Sequence, residues 1–128
     1  MDDVEWTVER HMQGKPSQVI ELYDRFIGLA EDCGPFGYAV SKTAITLKGV
    51  RRGFAGAALG RHALTGYLDL QRRVEEPRIT RSTPYTRRLF VHHFRIQTLD
   101  ELDDEFAGWL HEAYQVGAGA HLDGPTRR

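Results

Sequence analysis

A chain of 128 residues is enough for one domain with its own core and too short for two. With 41% apolar and 27% charged residues, the composition is that of an ordinary globular protein, and no run approaches the length of a membrane span. The single cysteine, Cys33, excludes an internal disulfide and a cysteine-based zinc site.

The net charge of −1 conceals an uneven distribution. Residues 1–41 carry three basic and eight acidic side chains, and residues 96–128 carry two and seven. Residues 42–95 carry twelve basic side chains against Asp69, Glu75 and Glu76. A basic middle between acidic ends has two readings: an anion-binding surface, or a basic sheet neutralised by acidic helices of the same domain. The acidic start, Met1 to Glu5, does not read as a signal or transit peptide. A cytoplasmic protein with no membrane association is the expectation.

In chain order, residues 1–13 read as an N-terminal extension, 14–117 as a single domain and 118–128 as a flexible tail. A helix is predicted from Pro16 or Ser17, with Val19, Ile20, Leu22, Tyr23, Phe26, Ile27 and Ala30 at helical spacing. Gly34-Pro35 stops it. Cys33 lies near its end, with no cationic neighbour to activate it, and reads as a packing residue. Ile45 and Leu47 alternate with Thr46 and Lys48 as a strand, followed by a turn at 48–51. Gly53–Leu59 is a second strand, Gly60-Arg61-His62 a turn, and Leu64–Leu70 a third strand. Residues 71–87, with Pro77, Pro84 and five arginines, read as loop or edge structure. Leu89–Ile96 is a strong strand. Thr98-Leu99-Asp100-Glu101 fits a capping box ahead of a last helix, whose apolar stripe is Leu99, Leu102, Phe106, Trp109, Leu110 and Ala113.

Short connections favour antiparallel pairing. The expected fold class is α+β: a single antiparallel or mixed sheet of about four to five strands, with an N-terminal and a C-terminal helix on one face. Strand parity places Ile45, Leu47, Leu64, Leu68, Leu70, Phe90 and Phe94 toward the helices. It places Lys42, Thr46, Lys48, Tyr67, Asp69, His93 and Arg95 outward.

Several motifs together resemble a bacterial family, that of domain of unknown function 5655. They are Gly14-Lys15-Pro16, Ser41-Lys42-Thr43-Ala44-Ile45, Gly53-Phe54-Ala55 and His92-His93, and the run Leu99-Asp100-Glu101-Leu102-Asp103 through Trp109-Leu110 to Ala113-Tyr114. The resemblance spans roughly residues 9–117. Some longer members are labelled predicted transport proteins. The resemblance implies domain boundaries and supplies no catalytic set.

The chemistry must come from the residues. Residues 53–60 lack dinucleotide-fingerprint spacing, and Gly14-Lys15-Pro16 is not a phosphate loop, so no cofactor is expected. His92 and His93 point to opposite faces and cannot readily share a metal, so no metal is expected. His92, between Phe90 and Phe94, reads as a hydrogen-bonded core histidine. The candidate ligand-binding residues are Lys42, Phe54, Arg61, His62, Tyr67, Arg78, His93 and Arg95: Lys42, His93 and Arg95 share the outward face with Tyr67, Arg61 and Arg78 lie in adjoining turns, Tyr67 is the stacking group and Phe54 a candidate second one. The leading reading is a non-enzymatic module that binds an anionic ligand, a nucleotide or a nucleic acid. The alternatives are a protein-interaction or homodimerisation module, and a small hydrolase or transferase with His93 as base beside Tyr67 and Lys42.

Overall fold

The computed structural model describes residues 5–120. Helices α1 (Val8–Met12) and α2 (Ser17–Glu31) lead into strands β1 (Gly37–Val40), β2 (Ile45–Lys48), β3 (Gly53–Leu59) and β4 (Leu64–Leu70). Strands β5 (Ile79–Thr86) and β6 (Leu89–Ile96) follow, then a 3₁₀ turn (Leu99–Glu101) and α3 (Asp104–Gly117). The strands form one antiparallel sheet in the order β1-β2-β3-β4-β6-β5.

The class is α+β as expected, but the sheet has six strands rather than four to five. The two additional strands are the edges. β1 is four residues long and three of them are exposed, which leaves little apolar periodicity to read. β5 contains Pro84 and two register irregularities. Proline is tolerated there because the outer side of an edge strand has no ladder to donate to.

Helices α2 and α3 pack on the same sheet face and on each other. α2 buries Val19, Leu22, Tyr23, Phe26 and Ala30, the i, i+3, i+4 stripe of an amphipathic helix. α3 buries Phe106, Trp109, Leu110, Ala113 and Val116. Between them and the sheet, Phe26, Phe94 and Phe106 form a mutual ring cluster with centroids 5.2–6.3 Å apart. Aromatic clusters of this kind dominate core energetics.

The predicted capping box exists, with the Glu101 carboxylate accepting from the Gln97 and Thr98 amides at 2.7 and 3.0 Å. It caps the 3₁₀ turn rather than α3. The long helix starts after Asp103, whose Oδ1 accepts from the Phe106 amide at 3.0 Å. Leu99, placed by periodicity on the apolar stripe, is accordingly exposed. At its other end α3 is seated on the β2–β3 turn. The Arg51 and Arg52 amides donate to the Gly117 carbonyl at 2.8 and 3.3 Å, and a side chain on Gly49 would meet the Gly117 backbone.

In the segment read as an N-terminal extension, α1 places His11 in a buried position, where its Nε2 donates to the Ser41 carbonyl at 2.7 Å. The tail expected over 118–128 lies, from residue 121 onward, outside the described residues.

Candidate anion-binding face

Both long helices lie on one side of the sheet, and among the described residues no helix covers the other side, the open face. The registers Gly56↔Tyr67, Tyr67↔His93 and His93↔Arg81 align four strands, β3, β4, β6 and β5, in one row. Side chains along a strand alternate, so positions two apart share a face with that row. The open face is then built from Thr46 and Lys48 on β2, Gly53, Gly56 and Ala58 on β3, and Thr65, Tyr67 and Asp69 on β4. Val91, His93 and Arg95 on β6 and Arg81 and Thr83 on β5 complete it. Asp69 is the one carboxylate among these positions, and it is buried beneath Arg52.

A groove of about 500 Å³ runs along this face, lined by Thr65, Tyr67, Thr80, Arg81, His93 and Arg95 with the backbone of Gly66 and Phe94. Arg81 donates to His93 Nε2 at 3.1 Å, so that nitrogen is an acceptor and the imidazole is neutral in this arrangement. Burial, and then the Arg81 charge, hold the His93 pKa below the ordinary imidazole value. Thr80 Oγ1 donates to the His93 carbonyl at 3.2 Å and fixes the edge strand against β6. The groove therefore offers two guanidinium groups, an imidazole and the Thr65 hydroxyl, and no acid among its lining residues.

The model of the family described as Domain of unknown function (DUF5655) matches residues 8–117. The chain belongs to the DUF5655 family. No curated protein and no solved structure matches it.

Tyr67 is the wall of the groove in this DUF5655 domain. Its hydroxyl lies beside Thr46, two strands away on β2: a Cβ on Gly53 would meet the Thr46 methyl at 3.1 Å and the Tyr67 hydroxyl at 4.0 Å. That reach requires the side chain to lie down across β3 rather than stand off the sheet. Gly56, its cross-strand partner, makes room: a Cβ there would lie 2.4 Å from the Tyr67 ring. The phenol is half-buried, and burial is the main cause of its raised pKa. It is a platform laid on the sheet, with glycine beneath it.

The structure gathers Tyr67, His93 and Arg95 as sequence parity places them, and adds Arg81 from the edge strand. Lys42 lies in the β1–β2 turn, and Arg61 and His62 in the β3–β4 turn. All three are exposed, at the sheet end where Arg95 sits, and none lines the groove. The set of His93, Tyr67 and Lys42 is thus not assembled in one concavity.

Two predicted positions sit elsewhere. Phe54 is fully buried on the helix side, against Tyr114 and Gly117 of α3. The reason is a β-bulge. Leu47 pairs with Ala55 and Lys48 with Gly53, which leaves Phe54 as the extra residue and turns it to the core beside Ala55. Arg78 is buried among carboxylates. It donates to Glu76, Asp103 and Glu105 at 2.6–3.0 Å and to the Glu101 carbonyl at 2.7 Å, with its guanidinium carbon 4.8 Å from the Trp109 ring centre. These partners hold its proton more tightly than an ordinary arginine. It fastens the β4–β5 loop to the start of α3 and has no donor left to offer a ligand. Arg72 does the same on the surface with Glu112, at 2.8–2.9 Å. Neutralisation by the acidic helices therefore accounts for part of the basic middle, and Arg81 and Arg95 stay on the open face.

His92 is the core histidine that its neighbours suggested. Its Nδ1 donates to the Phe90 carbonyl at 3.0 Å and its Nε2 accepts the Val74 amide at 2.9 Å, which fixes the neutral tautomer. Burial depresses its pKa further. Cys33 is half-buried against the core, its thiol pKa raised by burial, consistent with packing rather than reactivity.

Sequence reading missed Arg52 and Tyr85. Arg52 donates to Asp69 Oδ2 at 2.9 Å and lies 5.5 Å over the Tyr85 ring, joining the β2–β3 turn to the β5–β6 hairpin across β4. Asp69 Oδ1 is buried without a partner among the described residues. Burial pushes the Asp69 pKa up to about 6 against the pull of Arg52. The spacing of these residues carries no signal of this contact, because it depends on the strand order.

Proposed function

We propose that this domain is a binding module for an anionic ligand, a nucleotide or the phosphates of a nucleic acid, held in the open-face groove. The observation that carries the reading is the composition of that groove: Arg81, Arg95 and His93 line it with the Thr65 hydroxyl and Tyr67, and no carboxylate is among its lining residues. Guanidinium forks match phosphate oxygens bidentately, and a held aromatic ring beside them suits a base. The helix-side acids face away, so the small net charge of the chain does not describe the field over this face.

Fluorescence anisotropy with labelled single-stranded DNA and with a labelled nucleotide, at low and at physiological salt, tests the reading. The expected result is binding that weakens steeply with salt and that Arg81→Glu and Arg95→Glu each reduce by an order of magnitude or more. Wild-type affinity in both variants, or no binding at low salt, would remove the proposal.

A further inference from the structure

Resting on that reading, we infer that the ligand is an extended single strand of nucleic acid, which leaves the groove past Tyr67 and reaches a second stacking position at Tyr85. The open face carries these two tyrosines and no other aromatic residue at its strand positions. Tyr67 lies along the sheet, its ring over Gly56 and its hydroxyl over Gly53 beside Thr46. Tyr85 is 64% exposed, so its ring is open to a partner from solvent. Its ring lies 5.5 Å from the guanidinium carbon of Arg52, which donates to the Gly53 carbonyl at 3.1 Å and to Asp69 at 2.9 Å, Asp69 being the open-face neighbour of Tyr67 two residues along β4. Arg52 thus bridges the two aromatic positions from the same side of the sheet.

The separation suits a polymer rather than one nucleotide. Arg81 stands two strands from Tyr67 in the same row, and Tyr85 lies four residues further along β5. Strand geometry puts the backbone positions of Tyr67 and Tyr85 roughly 15 Å apart. One nucleotide does not fill this distance, and a short run of bases does. The electrostatics follow the same line. At the groove end are Arg81 and Arg95, and the turns nearby hold Lys42 and Arg61. At the Tyr85 end, Lys48, Arg51 and Arg87 lie in or beside the two hairpin turns and are exposed. The only acid on the path, Asp69, is buried under Arg52. Stacking on rings set between cations, indifferent to sequence, is how single strands are held without base-edge readout. A duplex keeps its bases stacked and has no use for either ring.

The test is affinity against chain length, using thymidine monophosphate, a dinucleotide and oligothymidylates of up to about eight nucleotides, with duplex DNA and polyphosphate of similar charge alongside. Tyr85→Ala alters an exposed side chain and should leave the fold intact, which its unfolding curve checks. The expected result is tightening by at least ten-fold from dinucleotide to the longest oligomer. Tyr85→Ala should remove most of that gain and leave dinucleotide affinity unchanged. If mononucleotide and oligomer bind equally, or Tyr85→Ala changes nothing, the second position is wrong and the groove reading stands. If polyphosphate or duplex binds as tightly as the single strand, stacking is not used and the inference falls. If no probe binds at low salt, the groove reading itself falls with it.

Discussion

The two faces of the sheet are made from the same strands and solve opposite problems. On the helix side, Leu64, Leu68 and Leu70 of β4 and Phe94 and Ile96 of β6 are buried to within 1% under α2 and α3. On the open side, the residues interleaved with them are Thr65 and Tyr67, and His93 and Arg95. One face is closed by apolar bulk, and its charges, Arg78 above all, are matched by carboxylates from the same chain. The other is flat and rich in small residues, and its cations outnumber its carboxylates. The difference shows that the near-zero net charge comes from segregation rather than from mixing. Stability should therefore be sensitive to substitutions on one face and binding to substitutions on the other.

The largest effect that can break this contrast is on the helix side. Phe106→Ala removes a fully buried ring from the Phe26–Phe94–Phe106 cluster and should cost about 3–5 kcal/mol in urea unfolding. A cost under 1 kcal/mol would mean that the cluster is not the centre of the core. Arg78→Ala comes next. It leaves Glu76, Asp103 and Glu105 without their shared partner, and should cost about 2 kcal/mol or more. The partly exposed acids lower the figure from that of a fully buried pair. Nucleotide affinity, measured where the variant is still folded, should not change. A fall in affinity would return Arg78 to the ligand site.

Two buried groups divide the pH dependence. His92 is neutral in the folded chain with a depressed pKa, so the unfolded chain takes up a proton first as pH falls below about 6.5. Its contribution is present above that pH and is lost as pH drops toward the folded value. Asp69 acts in the opposite sense. Its folded pKa of about 6 lies above the unfolded one, so its contribution is full below about pH 4 and is lost as pH rises through 6. His92→Gln should flatten the acid side of the stability profile, and Asp69→Asn should flatten the side between pH 4 and 7. Parallel profiles for wild type and both variants would contradict these assignments. The smallest effect belongs to the open face itself. Arg95→Glu should shift stability by no more than about 0.5 kcal/mol while weakening ligand binding strongly.

Where a residue's environment is set by its own strand or helix, the sequence is readable. The limits of β3, β4 and β6 and the start of α2 follow from alternation and from Pro16-Ser17, and His92 follows from the phenylalanines on either side. Where the environment is set by a partner segment, the signal is lost. Phe54 alternates outward on paper, and a single extra residue opposite Leu47 and Lys48 turns it inward. Arg78 looks like a free cation until α3 brings Asp103 and Glu105 beside it. Arg81 falls in a segment that reads as loop or edge structure because β5 has a polar sequence, and only its pairing with β6 puts it against His93. The groove is thus half visible in advance, through Tyr67, His93 and Arg95, and completed by an edge strand with no apolar period to announce it.

The strand order has a consequence for how the chain comes into being. β1 to β4 are laid down as a meander in which each strand meets its neighbour as soon as it is made. β5 breaks that sequence, because its sole neighbour in the sheet is β6, which follows it. During synthesis from the N-terminus, residues 79–86 must wait in water until the next strand emerges and folds back. A segment of Thr, Arg, Ser, Thr, Pro and Tyr can wait there without recruiting other chains. The polarity that hides β5 from a reader of the sequence also protects it while the ribosome finishes its partner.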